Sequence, residues 1–442
     1  NRKQRRARSR SKSNTRKVNM TYLAIAGLAG GSIGLATPVQ ATEILCDNLQ
    51  TELETAAVSG GNIDANFSGT CDFAEGFLFE ADTTITGPTN GALNLRFGNG
   101  VTIGFLANEN LNVSNINFSL VSDDSDLNHF IFGVDPDGLV NPTVTVSNST
   151  FSDTVSDPTP SNGINAAIYV EGQLHVSDSA FTNLRTGNGS VYASGTTEVS
   201  NSTFDSNSSN SGGAGINSGG ELTVTGSTFV SNSSLGDGGA ISSNNAITVT
   251  GSTFELNEVR NPYSGGGAVY APNGAWIQDS TFKSNTAPGF GGGVLSYGSL
   301  RIDNSSFDSN KSGDADLALA GGGGAVYSSG GTLVEGSTFF DNQAIAADGQ
   351  GGAIFAPGSS NSVNNSTFVG NKANTRGAAL AMYSEGYSIV SNSTFWNNPR
   401  FPNTGPNAGS AASLTVASFD LFSNILANSD DTPVWDNTYS ST

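Results

Sequence analysis

Three successive segments of the sequence carry side chains that could recognise or cleave a sugar, at matching positions in each segment. They are Trp276, Gln278, Arg301, Asp303 and Glu335. An aromatic plate, an amide and a guanidinium can hold a sugar ring. Asp303 and Glu335 stand at the same position of adjacent segments, so their backbones should lie about 5 Å apart, which is compatible with the carboxylate pair of a glycoside hydrolase. Trp276 and Gln278 are therefore ligand-binding candidates. Asp303 and Glu335, with Arg301 beside them, are the catalytic candidates.

A simpler interpretation is that these residues form an ordinary solvated face on which Arg301 neutralises its acidic neighbours. We favour it, and on this interpretation the chain has no catalytic residue. A second outward row consists of Glu255, Lys283 and Asp308, whose alternating signs are typical of stabilising pairs across adjacent strands.

Metal and histidine chemistry have little support in the sequence. Asp314 and Asp316 stand two residues apart in the longest loop, and such carboxylates can share a calcium ion. A lone Asp-x-Asp is weak evidence, so we predict no metal site and no cofactor, with calcium as the one candidate. His129 and His175 lack the spacing of a protease, which argues against a histidine-based mechanism.

A repeat must position these side chains. Eleven units align on a phenylalanine, with 23 to 33 residues between successive anchors. The anchors are Phe118, Phe151, Phe181, Phe204, Phe229, Phe254, Phe282, Phe307, Phe339, Phe368 and Phe395. Five residues before each anchor stands Val or Ile, which suits an inward-facing strand position. Three residues before it stands Gly, Asn or Asp, the residues that best tolerate a left-handed corner.

Two more positions of the unit are nearly constant. Ser stands two residues before ten of the eleven anchors, and Asn stands three residues after eight of them. Asn side chains stacked at one corner can form a hydrogen-bonded amide ladder. The second half of the unit begins with Gly-Gly-Ala-[Ile/Val] or a variant, and insertions collect in the loop before it.

These features predict an all-β fold, a right-handed parallel β-helix with a short N-terminal capping helix. Eleven coils spaced about 4.8 Å apart would make a rod of roughly 50 Å. A β-propeller is the alternative, but its units of about 40 residues are longer than this period. Calcium-binding nonapeptide repeats are also excluded, since the glycine clusters lack the required Asp.

The composition excludes several classes of protein. Charged residues make up 13% of the chain, against about 25% in ordinary soluble domains, which argues against a coiled coil and a highly charged disordered chain. Of the 18 basic residues, nine precede residue 18, whereas all 38 acidic residues follow residue 42. An acidic body of this kind repels nucleic acid and anionic membranes, so we predict neither as a partner.

The basic start is followed by a small, apolar stretch from Tyr22 to Ala36 and by Val39-Gln40-Ala41, as in a secretory signal peptide. A transmembrane anchor is the alternative, but the apolar stretch is short for a bilayer. We predict no membrane span in the mature chain. Localisation is then secreted or at the cell surface, associated with an outer membrane.

The exported part contains two cysteines, Cys46 and Cys71, which suits one disulfide in an oxidising compartment. Around and after the first cysteine, apolar residues recur every four positions on one face of a predicted helix, with Asp47 placed to cap it; they are Leu45, Leu49, Leu53 and Ala57. The predicted organisation is a signal peptide at 1–41, an N-terminal cap and first coils at 42–109, β-helix repeats at 110–400, and a degenerate last coil at 401–442. The final segment is expected to be truncated, and a C-terminal anchor to be missing.

The alternation of Gly-Gly-Ala-[Ile/Val], as at 238–241 and 351–354, with Phe-x-x-Asn, as at 204–207, resembles the repeats of chlamydial-type polymorphic outer membrane proteins. It also resembles pectin-lyase-like parallel β-helix proteins of bacterial surfaces. The resemblance covers roughly residues 110 to 400 and implies the fold more strongly than the function, because adhesins, passenger domains and polysaccharide-degrading enzymes share this scaffold.

We therefore expect an exported, non-catalytic, adhesin-like rod that contacts an extracellular glycan or a cell-surface protein. One alternative is a polysaccharide lyase or glycoside hydrolase acting through the two carboxylates. Another is a purely structural surface rod.

Overall fold

The structure, a computed structural model, describes residues 38–97, 101, 103–120, 129–133, 142–153, 164–314, 321–358, 360–399, 412–422, 424–427 and 435–436. Most of the predicted signal peptide lies outside these residues. One helix, α1 (Pro38–Ser59), precedes the strands. The strands are β1 (Gly61–Asp64), β2 (Gly69–Phe73), β3 (Phe77–Phe79), β4 (Thr83–Thr86), β5 (Leu93–Phe97), β6 (Ile103–Ala107), β7 (Leu111–Ser114), β8 (Asn117–Leu120), β9 (His129–Gly133), β10 (Thr143–Ser147), β11 (Thr150–Ser152), β12 (Ile168–Val170), β13 (Gln173–Ser177), β14 (Ala180–Thr182), β15 (Arg185–Thr186), β16 (Val191–Ala193), β17 (Thr197–Ser200), β18 (Thr203–Asp205), β19 (Ser208–Ser209), β20 (Ile216–Ser218), β21 (Leu222–Thr225), β22 (Thr228–Val230), β23 (Ser233–Ser234), β24 (Ile241–Ser243), β25 (Ile247–Thr250), β26 (Thr253–Glu255), β27 (Glu258–Val259), β28 (Val269–Ala271), β29 (Ala275–Gln278), β30 (Thr281–Lys283), β31 (Thr286–Ala287), β32 (Val294–Ser296), β33 (Leu300–Asp303), β34 (Ser306–Asp308), β35 (Lys311–Ser312), β36 (Val326–Ser328), β37 (Thr332–Glu335), β38 (Thr338–Phe340), β39 (Gln343–Ala344), β40 (Ile354–Ala356), β41 (Asn361–Asn364), β42 (Thr367–Val369), β43 (Lys372–Ala373), β44 (Leu380–Ser391), β45 (Thr394–Trp396), β46 (Ala412–Phe422), β47 (Ile425–Ala427) and β48 (Trp435–Asp436).

The strands stack into a parallel β-helix, as predicted. Each coil places one strand on a glycine face, which follows the Gly-Gly-Ala motif, and the next on a valine face. The third strand lies on a phenylalanine face of fourteen strands, from β2 to β47, and most coils add a fourth on a short face of eight, from β15 to β43. The glycine and valine faces form one 26-stranded sheet, because β44 runs through both.

The anchor phenylalanines form one continuous stack inside the rod. From Phe118 to Phe395, neighbouring rings are stacked with centroids 4.6 to 4.9 Å apart, and each ring is fully buried. The ladder extends past both ends of this series: Leu95 and Cys71 occupy the anchor position before Phe118, and Leu426 occupies it after Phe395. Three coils were therefore not predicted from the phenylalanine repeat, because a different residue stands at their anchor position.

The predicted corners are confirmed. The residue three before each anchor has a positive φ in all eleven units, for example 57° at Asn115 and 50° at Asp279. A second left-handed corner, which the sequence did not predict, follows two residues after most anchors. It is occupied by Ser206, Ser231 and even Leu256, where a Cβ makes this conformation unfavourable.

The predicted amide ladder is also present. Each Asn side chain from Asn207 to Asn371 donates through Nδ2 to Oδ1 of the next Asn, at 2.9 to 3.0 Å. The same Nδ2 also donates to a phenylalanine carbonyl, so the buried amides are hydrogen-bonded on both sides. On the outer surface, Lys283 pairs with Glu255 at 2.9 Å, as the alternation of charges indicated.

The predicted N-terminal cap is confirmed in its main features. Leu49, Leu53 and Ala56 of α1 are buried against β1, β2 and β3. The predicted disulfide joins Cys46 of the helix to Cys71 of β2, with Cα atoms 5.4 Å apart. The predicted N-cap at Asp47 is wrong, since α1 begins at Pro38 and Asp47 lies inside it.

Thr332 offers a test of how the core treats polar groups. Its buried Oγ1 has no hydrogen-bond partner, at an inward position that Leu300 fills one coil earlier. We expect Thr332→Val to raise the free energy of unfolding by about 1 kcal/mol, because it replaces an unpaired hydroxyl with a methyl group of similar size. Urea unfolding followed by circular dichroism measures the difference.

The matched control is Thr197→Val at the same position of an earlier coil. Thr197 Oγ1 lies 3.3 Å from the carbonyl of Gly195 and 3.4 Å from the Ser218 hydroxyl, so this substitution should not stabilise the chain. Equal effects of the two changes would contradict the explanation.

Leu256 offers a second test, on the backbone. It is 53% exposed and has a φ of 57°, so Leu256→Asn should stabilise the rod by about 1 kcal/mol by relieving the left-handed corner without emptying the core. Leu235 is similarly exposed, at 41%, but lacks the positive φ, so Leu235→Asn should give no such gain in thermal unfolding.

Candidate functional site

The strands β29, β33 and β37 bring the predicted sugar-recognition residues together on the outer side of the valine face. Trp276 pairs in register with Arg301, and Gln278 with Asp303. Asp303 pairs in turn with Glu335 on the next coil. The predicted adjacency of the five residues is therefore present, and we call this group the Trp276 patch.

Within the Trp276 patch, Asp303 is covered by its neighbours. Trp276 Nε1 donates to Asp303 Oδ2 at 2.8 Å, and Arg301 Nε donates to the same oxygen at 2.6 Å. The guanidinium of Arg301 also lies over the indole ring, 5.3 Å from its centroid, in a cation–π contact. These contacts leave Asp303 only 7% exposed, whereas Glu335 is open to solvent.

The chemistry that this patch can perform is limited by that arrangement. Before Asp303 could protonate a glycosidic oxygen or attack a sugar, its Oδ2 would have to leave both Trp276 and Arg301. Its Oδ1 is buried and has no hydrogen-bond partner. The contacts therefore agree with a side-chain cluster in which Arg301 neutralises Asp303. The catalytic roles of Asp303, Glu335 and Arg301 stay predictions.

The calcium candidates fall in the loop after β35. Asp314 borders an open depression of about 290 Å³ together with Lys311, and Asp316 lies outside the described residues. Among the residues that the structure describes, no group of three or more His, Cys, Asp or Glu side chains could hold a metal ion.

A surface that the sequence analysis missed lies on the outer side of the glycine face. Tyr270, Tyr327 and Phe355 occupy one outward row there, in register along the rod, with the buried Leu295 in the row between Tyr270 and Tyr327. Phe290 packs on Tyr327 at 4.5 Å between ring centroids, and Tyr297 stands between Tyr270 and Tyr327 at 6.0 and 6.3 Å. We call the five aromatic residues of this group the aromatic cluster. The signal was an aromatic residue directly after Ile or Val of the Gly-Gly-Ala motif.

Asp237 lies at the edge of the aromatic cluster. Its Oδ1 accepts a hydrogen bond from the backbone N–H of Gly265 at 2.7 Å. Burial raises the pKa of Asp237 above its ordinary value, since desolvation disfavours the charged form. Burial also raises the pKa of Tyr270 and Tyr297, and the negative charge of Asp237 contributes to both shifts.

A second aromatic row lies nearer the N-terminus on the same face. Tyr169 stacks between Phe132 and Tyr192, with centroids 5.0 and 4.6 Å away, and His129 stacks on Phe132. His129 Nδ1 lies 3.1 Å from the carbonyl of Ala166, which can only accept, so this nitrogen carries the proton of a neutral ring. Burial lowers the pKa of His129 to about 4.

Comparison with known proteins supports the fold. The family model described as "Right handed beta helix region" matches residues 168–352 and, in an overlapping match, 253–421, which together span more than half of the chain. No curated protein matches the sequence. A solved structure described as a mannuronic acid specific polysaccharide family 6 lyase enzyme from human gut microbiota is similar at 13% identity and a TM-score of 0.29, covering 85% of this chain and 81% of that chain.

Within the described part of the chain, no helix is both long and apolar enough to cross a membrane.

His129 predicts how stability depends on pH. Its folded-state pKa of about 4 lies below the ordinary value of 6.5, so the unfolded chain binds more protons between these values. The contribution of His129 to the free energy of unfolding should therefore be fully present above its unfolded-state pKa. It should fall by about 3 kcal/mol as the pH drops towards its folded-state pKa. Denaturant unfolding across this range measures the fall.

His129→Gln should remove most of that pH dependence. His175→Gln is the control, because His175 lies on the surface, 38% exposed and 3.0 Å from Glu198, and should leave most of the fall in place. An unchanged slope in His129→Gln would refute the assignment.

Proposed function

This chain belongs to the right handed beta helix region family, and from that premise we propose that it is an exported, non-catalytic surface rod with an adhesin-like role. Its partner would be an extracellular glycan or a cell-surface protein, bound along the outer faces of the coils. Secretion or display at an outer membrane is part of the proposal. It is supported by the signal-like composition of residues 1–41 and by the Cys46–Cys71 disulfide, since disulfides persist in oxidising compartments.

One observation carries the non-catalytic part of the proposal. Asp303 is needed by the enzymatic alternative, and its Oδ2 is held by Trp276 and Arg301 in a position that is 7% exposed. A general acid must come within hydrogen-bond reach of the oxygen that it protonates, and a nucleophile must reach the sugar carbon. The covered carboxylate does neither without rearrangement of the Trp276 patch.

The binding part of the proposal is supported by what the rod leaves exposed. Trp276 is 42% exposed and Tyr297 is 48% exposed. Exposed aromatic side chains with hydrogen-bonding groups are enriched where proteins bind partners, because they bury much apolar surface while satisfying polar groups. The resemblance to the repeats of polymorphic outer membrane proteins is consistent with a role at the cell surface.

The enzymatic alternative is a polysaccharide lyase or glycoside hydrolase, and its test is direct. The full chain is incubated with acidic and neutral polysaccharides, with and without calcium, and the release of reducing ends and unsaturated products is measured. We expect no turnover above that of the double variant Asp303→Ala/Glu335→Ala. Turnover that this variant abolishes would make the chain an enzyme and overturn the proposal.

Binding on glycan and cell-surface protein arrays, tested on the same sample, separates a binding rod from a purely structural one. Binding without turnover supports the proposal, whereas neither binding nor turnover favours the structural rod. The calcium arm also tests Asp314 and Asp316, since Asp314→Ala/Asp316→Ala should change any calcium-dependent binding.

A further inference from the structure

Among the residues that the structure describes, no basic side chain pairs with the Asp237 carboxylate. The contacts at ion-pair distance in this part of the chain all join other residues. The Asp237 carboxylate instead accepts a hydrogen bond from the backbone N–H of Gly265. A partly buried carboxylate without a cation favours a positively charged ligand, since the ligand would compensate the lost hydration.

The aromatic cluster provides the second half of such a site. The rings of Tyr270 and Tyr297 meet nearly at right angles, at 84°, and those of Tyr297 and Tyr327 at 81°. An aromatic ring is electron-rich on its face, and a cation within about 6 Å of that face is attracted to it. Tyr297 is half exposed, so a ligand can reach the cluster from solvent.

The net charge of the chain limits the class of ligand further. The sequence after residue 42 contains nine basic and 38 acidic residues, so polyanionic glycans are repelled and cationic ones are attracted. Tyr270, Tyr327 and Phe355 also follow the rod axis on separate coils. Their spacing gives a polymer several contacts in line, which suits a glycan chain more than a single small ion.

We propose that the aromatic cluster and Asp237 bind a glycan that carries protonated amino groups. An ammonium group lies against the Asp237 carboxylate and the rings of Tyr270 and Tyr297, and further sugar rings lie along Tyr327 and Phe355. This inference rests on the proposed glycan-binding function and names the ligand class and the surface.

The test compares two ligands of equal length that differ only in charge. Binding of a glucosamine hexamer and of its N-acetylated counterpart to the full chain is measured by isothermal titration calorimetry, at a pH where the free amines are protonated. We expect the amino form to bind at least about tenfold more tightly. Asp237→Asn should remove most of that difference, and Tyr297→Ala should weaken both ligands.

The control is Trp396→Ala. Trp396 is an aromatic residue, 56% exposed, on the phenylalanine face, so its loss should leave both affinities unchanged. Circular dichroism of every variant verifies the fold. If the N-acetylated hexamer binds as tightly as the amino form, or if Asp237→Asn has no effect on the preference, the inference is wrong.

The array measurement separates the two proposals. Binding of other glycans or of proteins without binding of the amino form would overturn this inference and leave the proposed function in place. Absence of all binding would overturn both.

Discussion

The rod depends on hydrogen bonds that join the buried asparagine and serine corners of each coil to the same corners of the next coil. Asn257 shows these bonds: its Nδ2 donates to Asn285 Oδ1 at 2.9 Å and to the carbonyl of Phe229 at 3.0 Å. A buried amide without partners costs several kcal/mol, so an Asn at this corner stabilises the fold only when the neighbouring coils carry Asn too. The serines two residues before the anchors also bond from coil to coil, since the Ser252 N–H donates to Ser280 Oγ on the next coil. Because the coils stack in parallel, a residue type that bonds to its own kind recurs at the same position of successive coils.

Close backbone approach imposes a second constraint, at the second glycine of Gly-Gly-Ala. A Cβ on Gly267 would lie 2.1 Å from the carbonyl oxygen of Gly292, and a Cβ on Gly324 would lie 2.0 Å from that of Gly352. No side chain fits between coils that approach so closely. The glycine preceding it in the motif has a different reason to be glycine, since Gly266 has a φ of 67°. Close packing between coils thus requires glycine at the second position of the motif, and the backbone conformation favours glycine at the first.

These two constraints explain how far the sequence predicts the structure. Inward positions repeat because each must match its neighbour, so the phenylalanine stack, the left-handed corner three residues before each anchor and the amide ladder were predictable. The coils in which Cys71, Leu95 or Leu426 stands at the anchor position were not predicted, because the repeat was recognised from phenylalanine and another residue type stands at that register position. The second corner was not predicted for a similar reason, since a leucine such as Leu256 does not indicate the left-handed conformation that it adopts there.

The side-chain contacts on the outer surface could not be predicted in this way, because no neighbouring coil requires a given residue there. The register of the Trp276 patch followed from the repeat, but the burial of Asp303 did not, since it depends on how Trp276 and Arg301 fold over the carboxylate.

The aromatic cluster also lies at positions where the coils do not require a particular residue type. The outward position of the glycine face is Asn217 and Ser242 on two coils and Tyr270 on the next, so stacking tolerates polar residues at this position. The scaffold therefore does not require tyrosines and phenylalanines on this exposed face. Their accumulation beside a carboxylate that has no cationic partner among the described residues is better explained by a ligand than by the stability of the rod.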